Sequence, residues 1–152
     1  MLIEIARRDP SAPTVLGHLE IPGWSDYVFP RGEQLVAVGR GDRGAQVAVS
    51  LFDVSDASAP AKLSRVAFGA GDATSEANTD FRGATVIDDQ ADGLVVVPYT
   101  QSVWREERCV TEHHVQLVEL GAAGLTLRGR LERAPGRRTP HRAYRRGTVR
   151  AR

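Results

Sequence analysis

Cysteine is almost absent from this chain, since Cys109 is the only one among 152 residues. A lone cysteine excludes an intrachain disulfide and any site built from several cysteines. Long apolar runs are also missing: the longest, at residues 94–98, falls far short of the roughly 18 residues that a membrane-spanning helix needs. Residues 1–8 place apolar side chains before the charges, which is not the order found in a signal peptide. We therefore expect no membrane span and find no export signal in this chain.

Lysine is nearly absent too, with Lys62 standing beside 19 arginines. Ten of these arginines lie between Arg128 and Arg152, where Glu132 is the single acid, whereas the first 127 residues carry ten bases and 18 acids. A basic tail on an acidic body is one signature of an arm for nucleic acids or membrane surfaces. The tail has one aromatic residue, Tyr144, and so lacks the stacking platform of single-strand binders. We expect no nucleic-acid partner and attribute the arginines to coding bias.

The chain has the length of one domain. The periodicity of its hydrophobic residues favours strands over helices. Short segments rich in β-branched residues recur between Gly, Asp and Pro, and no window of about 11 residues carries an amphipathic helical stripe with a cap. The predicted strands are 15–21, 26–29, 34–38, 46–54, 62–68, 81–87, 93–99, 113–120 and 125–131. The predicted fold class is all-β.

One turn sequence occurs twice. Residues 9–13 read Asp-Pro-Ser-Ala-Pro and residues 56–60 read Asp-Ala-Ser-Ala-Pro, 47 positions later. In each, the Asp side chain can cap its own turn, and the last Pro removes an N–H where the next strand begins. Four strands in such a period are typical of one blade of a β-propeller.

This period predicts a partial β-propeller over residues 1–134. It has about two four-stranded antiparallel blades, at 14–56 and 61–120, incomplete strands at both ends, and the start of a third blade from 125; residues 101–112 are an insertion. Residues 135–152 are interpreted as an Arg-rich tail that is either a truncated strand or disordered. A propeller removes its open edges by radial closure, so we expect a longer parent chain, a second reading frame or self-association to supply missing blades.

Three segments together resemble a known family. Residues 15–27 read Val-Leu-Gly-His-Leu-Glu-Ile-Pro-Gly-Trp-Ser-Asp-Tyr, residues 34–40 read Gln-Leu-Val-Ala-Val-Gly-Arg, and residues 49–56 read Val-Ser-Leu-Phe-Asp-Val-Ser-Asp. In this order they resemble bacterial secreted proteins with a C-terminal β-propeller domain, over roughly residues 3–131. The resemblance implies a propeller of uncharacterised activity that is exported or attached to the cell envelope. It brings no catalytic residues.

Two loops contain patterns that suggest ligands. Residues 39–44 fit Gly-x-Gly-x-x-Gly, but a strand follows instead of the helix that a dinucleotide site needs, so we interpret them as a hairpin loop. The Arg-Gly-Asp tripeptide at 40–42, a known integrin ligand, is attributed to chance. The carboxylates at 88–92 are donors that Ca²⁺ prefers, but their spacing is not that of an EF-hand, and a turn is favoured.

The segment Gly-Trp-Ser-Asp-Tyr at 23–27 begins like the nucleophile elbow of a serine hydrolase. It ends in Tyr27 where the elbow needs Gly, and no helix follows. Ser25 and Asp26 are expected to cap the bend into a strand. Trp24 and Tyr27 are expected either to line the face of the propeller or to pack between blades, and packing is favoured because aromatic residues dominate buried area.

Four side chains of the kinds that bind zinc lie close together in the sequence: Cys109, Glu112, His113 and His114. Adjacent histidines on a strand point to opposite faces, so these two cannot readily share a metal ion. The cysteine has no visible activating partner, and His18 is expected at the surface. We assign no catalytic, cofactor-binding or metal-ligating residue and no cofactor.

Two functions remain open. The favoured one is a non-catalytic interaction or scaffold module from a longer exported or envelope-associated bacterial protein, binding a protein or cell-surface ligand through loops such as 39–45 and 101–112. The alternative is an enzyme whose site lies at the central channel and is completed by residues outside this chain.

Overall fold

The computed structural model describes residues 2–6, 11, 14–42, 44–89, 92–121 and 124–132. These residues form ten β-strands and no α-helix, which confirms the all-β class. The strands are β1 Leu2–Ala6, β2 Val15–Glu20, β3 Trp24–Arg31, β4 Gln34–Arg40, β5 Val47–Asp53, β6 Ala61–Phe68, β7 Thr85–Asp89, β8 Asp92–Arg105, β9 Arg108–Gly121 and β10 Gly124–Glu132. Two 3₁₀ helices, Glu76–Asn78 and Phe81–Gly83, lie between β6 and β7.

The strands form three antiparallel sheets. One contains β1 and β2, the second contains β3 to β6 in chain order, and the third contains β7 to β10 in chain order. Each four-stranded sheet is a simple up-and-down meander of the kind that forms a propeller blade. We call the second sheet blade 1 and the third sheet blade 2.

The predicted grouping of the strands is wrong by one strand. The predicted blade at 14–56 places β2 beside β3, whereas β2 pairs with β1 and β6 completes blade 1. In the same way, the predicted blade at 61–120 begins one strand early, and β10 pairs with β9 as the fourth strand of blade 2 instead of starting a third blade at 125. Apolar alternation locates strands, but it does not show which strand opens a sheet.

The corner at 56–60 explains the shift, because it joins the third and fourth strands of blade 1. The Asp56 carboxylate accepts hydrogen bonds from the backbone N–H of Ser58 at 2.9 Å and from its hydroxyl at 2.6 Å. Pro60 immediately precedes β6. The predicted capping therefore occurs, but within a blade rather than between two blades. The matching corner at 9–13 lies outside the described residues except for Ser11.

Blade 1 is covered on both faces. One face forms the main core with blade 2, and its buried members are Val36, Val38, Val47, Val49, Leu51, Phe68, Val95, Val97, Tyr99, Val118 and Leu120. The other face places Ala37 and Phe52 against Ile21, which directly follows β2. The two-stranded sheet therefore stacks on blade 1 as the outer part of a neighbouring blade.

Within the described ranges, blade 2 is covered on one face only. Because Val95 and Val118 face the main core, their neighbours Leu94 and Leu117 point to the opposite side of the sheet. There, Ile87 is paired with Leu94 and is 51% exposed. We call this the open face of blade 2, since nothing in the described part of the chain packs on it.

The segment 69–84, here called the connector, replaces the start of a predicted strand. Residues 81–83 form a 3₁₀ helix, and β7 begins only at Thr85. The Asp80 carboxylate caps this helix by accepting from the backbone N–H of Arg82 at 3.0 Å. This local cap competes with the extended conformation, so the predicted strand 81–87 is wrong over its first residues.

Candidate functional site at the loop end of the blades

Strands β8 and β9 extend beyond the rest of blade 2. They stay paired with each other as far as Arg105 and Arg108. The neighbouring strands end earlier: β7 pairs with β8 only up to Val96, and β10 pairs with β9 only up to His114. We call residues 101–112 the arm. Five residues of extended strand give it a length of roughly 17 Å. The predicted insertion is therefore the continuation of a regular hairpin.

The tip of the arm is a two-residue turn in the left-handed region. Glu106 has φ = +46° and Glu107 has φ = +63°. Hairpin turns of this shape favour Asn and Gly, and a non-glycine residue in this conformation costs about 1–2 kcal/mol. Beside the turn, Trp104 is 78% exposed. The tip thus combines a strained turn with an exposed aromatic ring, and neither contributes to the core.

A polar network anchors the arm at its base. Glu112 accepts hydrogen bonds from Arg105 at 2.6 and 2.9 Å and from Gln101 at 3.1 Å, and its other contact is Nε2 of His114 at 3.2 Å. The Gln101 side-chain oxygen accepts from the backbone N–H of Ala70 in the connector at 2.8 Å. Arg105, followed by Gln101, lowers the pKa of Glu112 to about 2. Glu112 therefore links the two strands at the base of the arm, and Gln101 joins that base to the connector.

The suspected zinc ligands are distributed over different surroundings. His114 is buried and its ring stacks on Tyr99 at 5.0 Å between centroids, whereas His113 and Cys109 are exposed. The two histidines point to opposite faces, as strand alternation predicts. Glu112 is bound within the network. The strand thus separates side chains that are neighbours in the sequence.

Acid is expected to weaken the pairing of β8 and β9 at the base of the arm through Glu112. Because its pKa in the folded chain lies below the ordinary value of 4.5, its contribution to stability is complete above pH 4.5 and is lost as the pH falls toward about 2. Replacing Glu112 with Gln should remove this loss. The measurement is the urea midpoint of unfolding across that pH range, for the wild type and E112Q. Parallel profiles would contradict this role, since other carboxylates titrate equally in both proteins.

The connector also binds the edge of β8. Thr74 and Thr100 exchange two backbone hydrogen bonds, of 2.9 and 2.8 Å. Farther along, the Asp72 carboxylate accepts from the backbone N–H of Ser102 at 2.9 Å. These bonds replace the strand pairing that β7 does not supply at this level, so they fix the direction of the arm relative to both blades.

The segment 23–27 fixes the connector to blade 1. The Tyr27 hydroxyl donates to the carbonyl of Thr79 at 2.7 Å, and Asp26 accepts from the Asn78 amide at 2.7 Å. Tyr27 therefore packs between blade 1 and the connector, not directly between the two blades. Trp24 does not pack between the blades either: it is 46% exposed, and the guanidinium of Arg40 lies 5.8 Å from its ring centroid.

The glycine-rich loop is a hairpin loop between β4 and β5, as predicted. The backbone N–H of Gly41 donates to the carbonyl of Gln46 at 2.8 Å across the loop. Within the Arg-Gly-Asp tripeptide, Asp42 lies 3.6 Å from Arg65, and Arg40 lies over Trp24. The tripeptide side chains therefore have partners inside the chain.

The aspartates of the predicted turn lie at the opposite end of the blades, where β7 ends and β8 begins. Asp88 forms an ion pair of 2.7 Å with Arg31 of blade 1, and the pairing of β7 with β8 continues to Asp89 and Asp92. Asp88 therefore contributes a contact between the blades, and positions 90 and 91 of the predicted turn lie outside the described residues.

Two clefts open at the end that carries the arm. The first, of ≈ 570 Å³, is lined by Gly41, Asp42, Gln46, Arg65, Gly69 and Gly71. The second, of ≈ 440 Å³, is lined by Arg40, Thr74, Glu76, Asn78, Thr100 and His113, with charged groups of both signs. The predicted ligand loop 39–45 borders both clefts, whereas the arm starts at the same end of the blades and none of its described residues lines either cleft. The connector, which lines both clefts, had no recognisable signal in the sequence.

Stacked four-stranded meanders with one turn sequence recurring at the blade period define the class of protein as a partial β-propeller. The chain belongs to the family described as Beta propeller domain, whose model matches residues 2–150. The propeller part of the predicted resemblance is thereby confirmed. The bacterial and secreted context stays a prediction.

Two archaeal proteins match part of the chain. One, an uncharacterised protein of Methanocaldococcus jannaschii, is 38% identical over 65 residues, which are 42% of this chain and 10% of the relative. The other, an uncharacterised protein of Archaeoglobus fulgidus, is 39% identical over 57 residues, which are 38% of this chain and 9% of the relative. The matched segments thus span about a tenth of each relative. No solved structure matches the chain.

No helix in the described part of the chain has the length and apolar character required to cross a membrane.

Proposed function

We propose that this chain is a non-catalytic interaction module of a longer exported or envelope-associated protein, and that the arm binds a protein partner. The exposed Trp104, 78% accessible on an arm that the connector holds in place, carries this proposal. Tryptophan is enriched among the residues that dominate binding energy at protein interfaces. A pre-positioned arm also reduces the ordering cost of association.

In the longer protein, a further blade of the same chain covers the open face of blade 2. Stacked blades of a propeller each pack one face on the blade before and the other on the blade after. Blade 1 follows this rule, because Ile21 covers one of its faces and blade 2 covers the face that carries Val36. The open face of blade 2, which carries Leu94 and Ile87, corresponds to the Val36 face of blade 1 and is the face on which a following blade packs. The archaeal relatives are about ten times longer than their matched segments, which is ample length for further blades.

The exported or envelope location is supported by the resemblance of segments 15–27, 34–40 and 49–56 to secreted propeller proteins. The bacterial origin is supported by the same resemblance.

Site-specific photo-crosslinking in the full-length protein tests these proposals. A photoreactive phenylalanine analogue is placed at Trp104, at Ile87 on the open face, or at Leu63, which is 49% exposed on β6 and serves as the matched control. We expect a discrete product with another protein from position 104, a crosslink within one chain from position 87, and no discrete product from position 63. The captured protein is then purified, and Trp104→Ala should weaken its direct binding by about 30-fold.

Each position can contradict its own part of the proposal. Direct binding that is unchanged in W104A, or no discrete product from position 104, would remove the arm as the binding element. A product of twice the chain mass from position 87 would show that a second copy covers the open face, and the parent-chain proposal would be wrong.

A further inference from the structure

Arg40 in the second cleft has a charge that the fold does not neutralise. Its guanidinium is held over the Trp24 ring, 5.8 Å from the centroid, and no carboxylate within the described ranges lies at ion-pair distance from it. The nearby Asp42 pairs with Arg65 instead, at 3.6 Å. Arginine stacked on an aromatic ring keeps its planar fork of donors, which matches a carboxylate. The cleft therefore presents a pre-positioned binding group for an anion.

The rest of the lining restricts which anion fits. Glu76 is exposed and lines the same cleft, so a multiply charged phosphate would be repelled at one side while it is attracted at the other. A single carboxylate avoids this conflict if the same molecule also offers hydroxyl donors to Glu76. The hydroxyls of Thr74 and Thr100, 3.3 Å apart, add further hydrogen-bonding groups.

We propose that this cleft binds a carboxylated sugar, a hexuronate unit of an acidic polysaccharide. Arg40 binds its carboxylate, while Glu76 and the paired threonines bind ring hydroxyls. Trp24 lies outside the lining of the cleft and supports the Arg40 guanidinium from behind. The volume of ≈ 440 Å³ lies within the range of small-molecule sites. This inference goes beyond the proposed function, because it adds a carbohydrate ligand in the cleft to the protein partner of the arm.

Calorimetric titration of the full chain tests the inference. The probes are glucuronate and galacturonate, their neutral counterparts glucose and galactose, and a dipeptide with free termini. We expect the uronates to bind at least about tenfold more tightly than any other probe, because only they combine a carboxylate with ring hydroxyls. Arg40→Gln should lower uronate affinity by about tenfold or more, and Arg40→Lys should lower it less, because lysine keeps the charge without the planar fork.

Arg82 provides the matched control. It lies over the Phe81 ring at 5.4 Å, is exposed, and belongs to the same connector, but it does not line the cleft. Arg82→Gln should therefore leave uronate affinity unchanged. Circular dichroism of R40Q and R82Q shows whether both keep the strand content of the wild type. If R40Q alone lost strand content, the R40K titration would decide whether weaker uronate binding comes from the missing guanidinium or from misfolding.

Three results would overturn the inference: equal binding of neutral sugars and uronates, uronate affinity unchanged in R40Q, or tighter binding of the dipeptide. These results are distinguishable from failure of the proposed function. A chain that binds no uronate but still crosslinks at Trp104 loses only the sugar ligand. A chain that binds uronate but gives no product at Trp104 loses the arm as its protein-binding element.

Discussion

Replacing Phe52 with alanine is expected to lower the free energy of unfolding by about 3–5 kcal/mol. Phe52 is 1% exposed and packs with Ile21 and Ala37 in the core between blade 1 and the two-stranded sheet. The strand β5 is held by β4 and β6, so the backbone cannot collapse into the space that the ring leaves. A cavity therefore adds to the lost burial. Urea unfolding followed by circular dichroism, with linear extrapolation to water, measures the change.

The control is Leu63→Ala on the neighbouring strand β6. Leu63 is 49% exposed, and an exposed substitution of this kind changes stability by about 0.5 kcal/mol or less. If F52A and L63A lost similar stability, the two-stranded sheet would not be stacked on blade 1. The assignment of that sheet to a neighbouring blade would then be wrong.

The strands were predictable because local chemistry specifies them. The buried strand Val47–Asp53 has β-branched and aromatic residues between Gly and Asp, and its predicted limits of 46–54 differ by one residue at each end. The Asp56 cap was predictable for the same reason, since its partner is two residues away. Such signals act within a few residues, so one sequence is enough to read them.

The grouping of strands into blades depends on long-range pairing and was not predictable. A corner with one sequence fits equally well between two strands of a blade or between two blades, because the Asp and Pro act only on the turn itself. The hairpin structure of the arm, which was predicted only as an insertion, was not predictable for another reason. Its turn uses Glu106 and Glu107 in a conformation that Gly and Asn normally mark, so the sequence carries no hairpin signal there.

The candidate site was predictable only in its outer parts. The loops 39–45 and 101–112 were recognised as possible ligand loops from their composition. The second cleft requires the connector, whose position depends on contacts such as Asn78 with Asp26, 52 residues apart. The stacking of Arg40 on Trp24 likewise joins two strands. Pairings at this distance leave no periodicity in one sequence.

Gly23→Ala is expected to lower the free energy of unfolding by about 2–5 kcal/mol. Gly23 has φ = +71°, where a side chain costs about 1–2 kcal/mol. An added Cβ would also lie 2.5 Å from the carbonyl oxygen of Arg40 and 2.8 Å from that of Gly41, and overpacking of this kind costs about 1–3 kcal/mol. Urea unfolding measures the loss, and in a Trp104→Phe background the tryptophan fluorescence, which then comes from Trp24 alone, reports whether the ring of Trp24 moves.

Gly32→Ala separates the two causes. Gly32 has φ = +57° in the turn between β3 and β4, but nothing lies within 4 Å of an added Cβ, so only the backbone term of about 1–2 kcal/mol applies. The excess loss in G23A measures the close approach of segment 23–27 to the end of β4. Because that approach brings Trp24 beside Arg40, G23A should also weaken uronate binding, whereas G32A should leave it intact. Equal losses of stability in the two variants would show that backbone conformation alone requires glycine at position 23, and that the close approach adds no constraint.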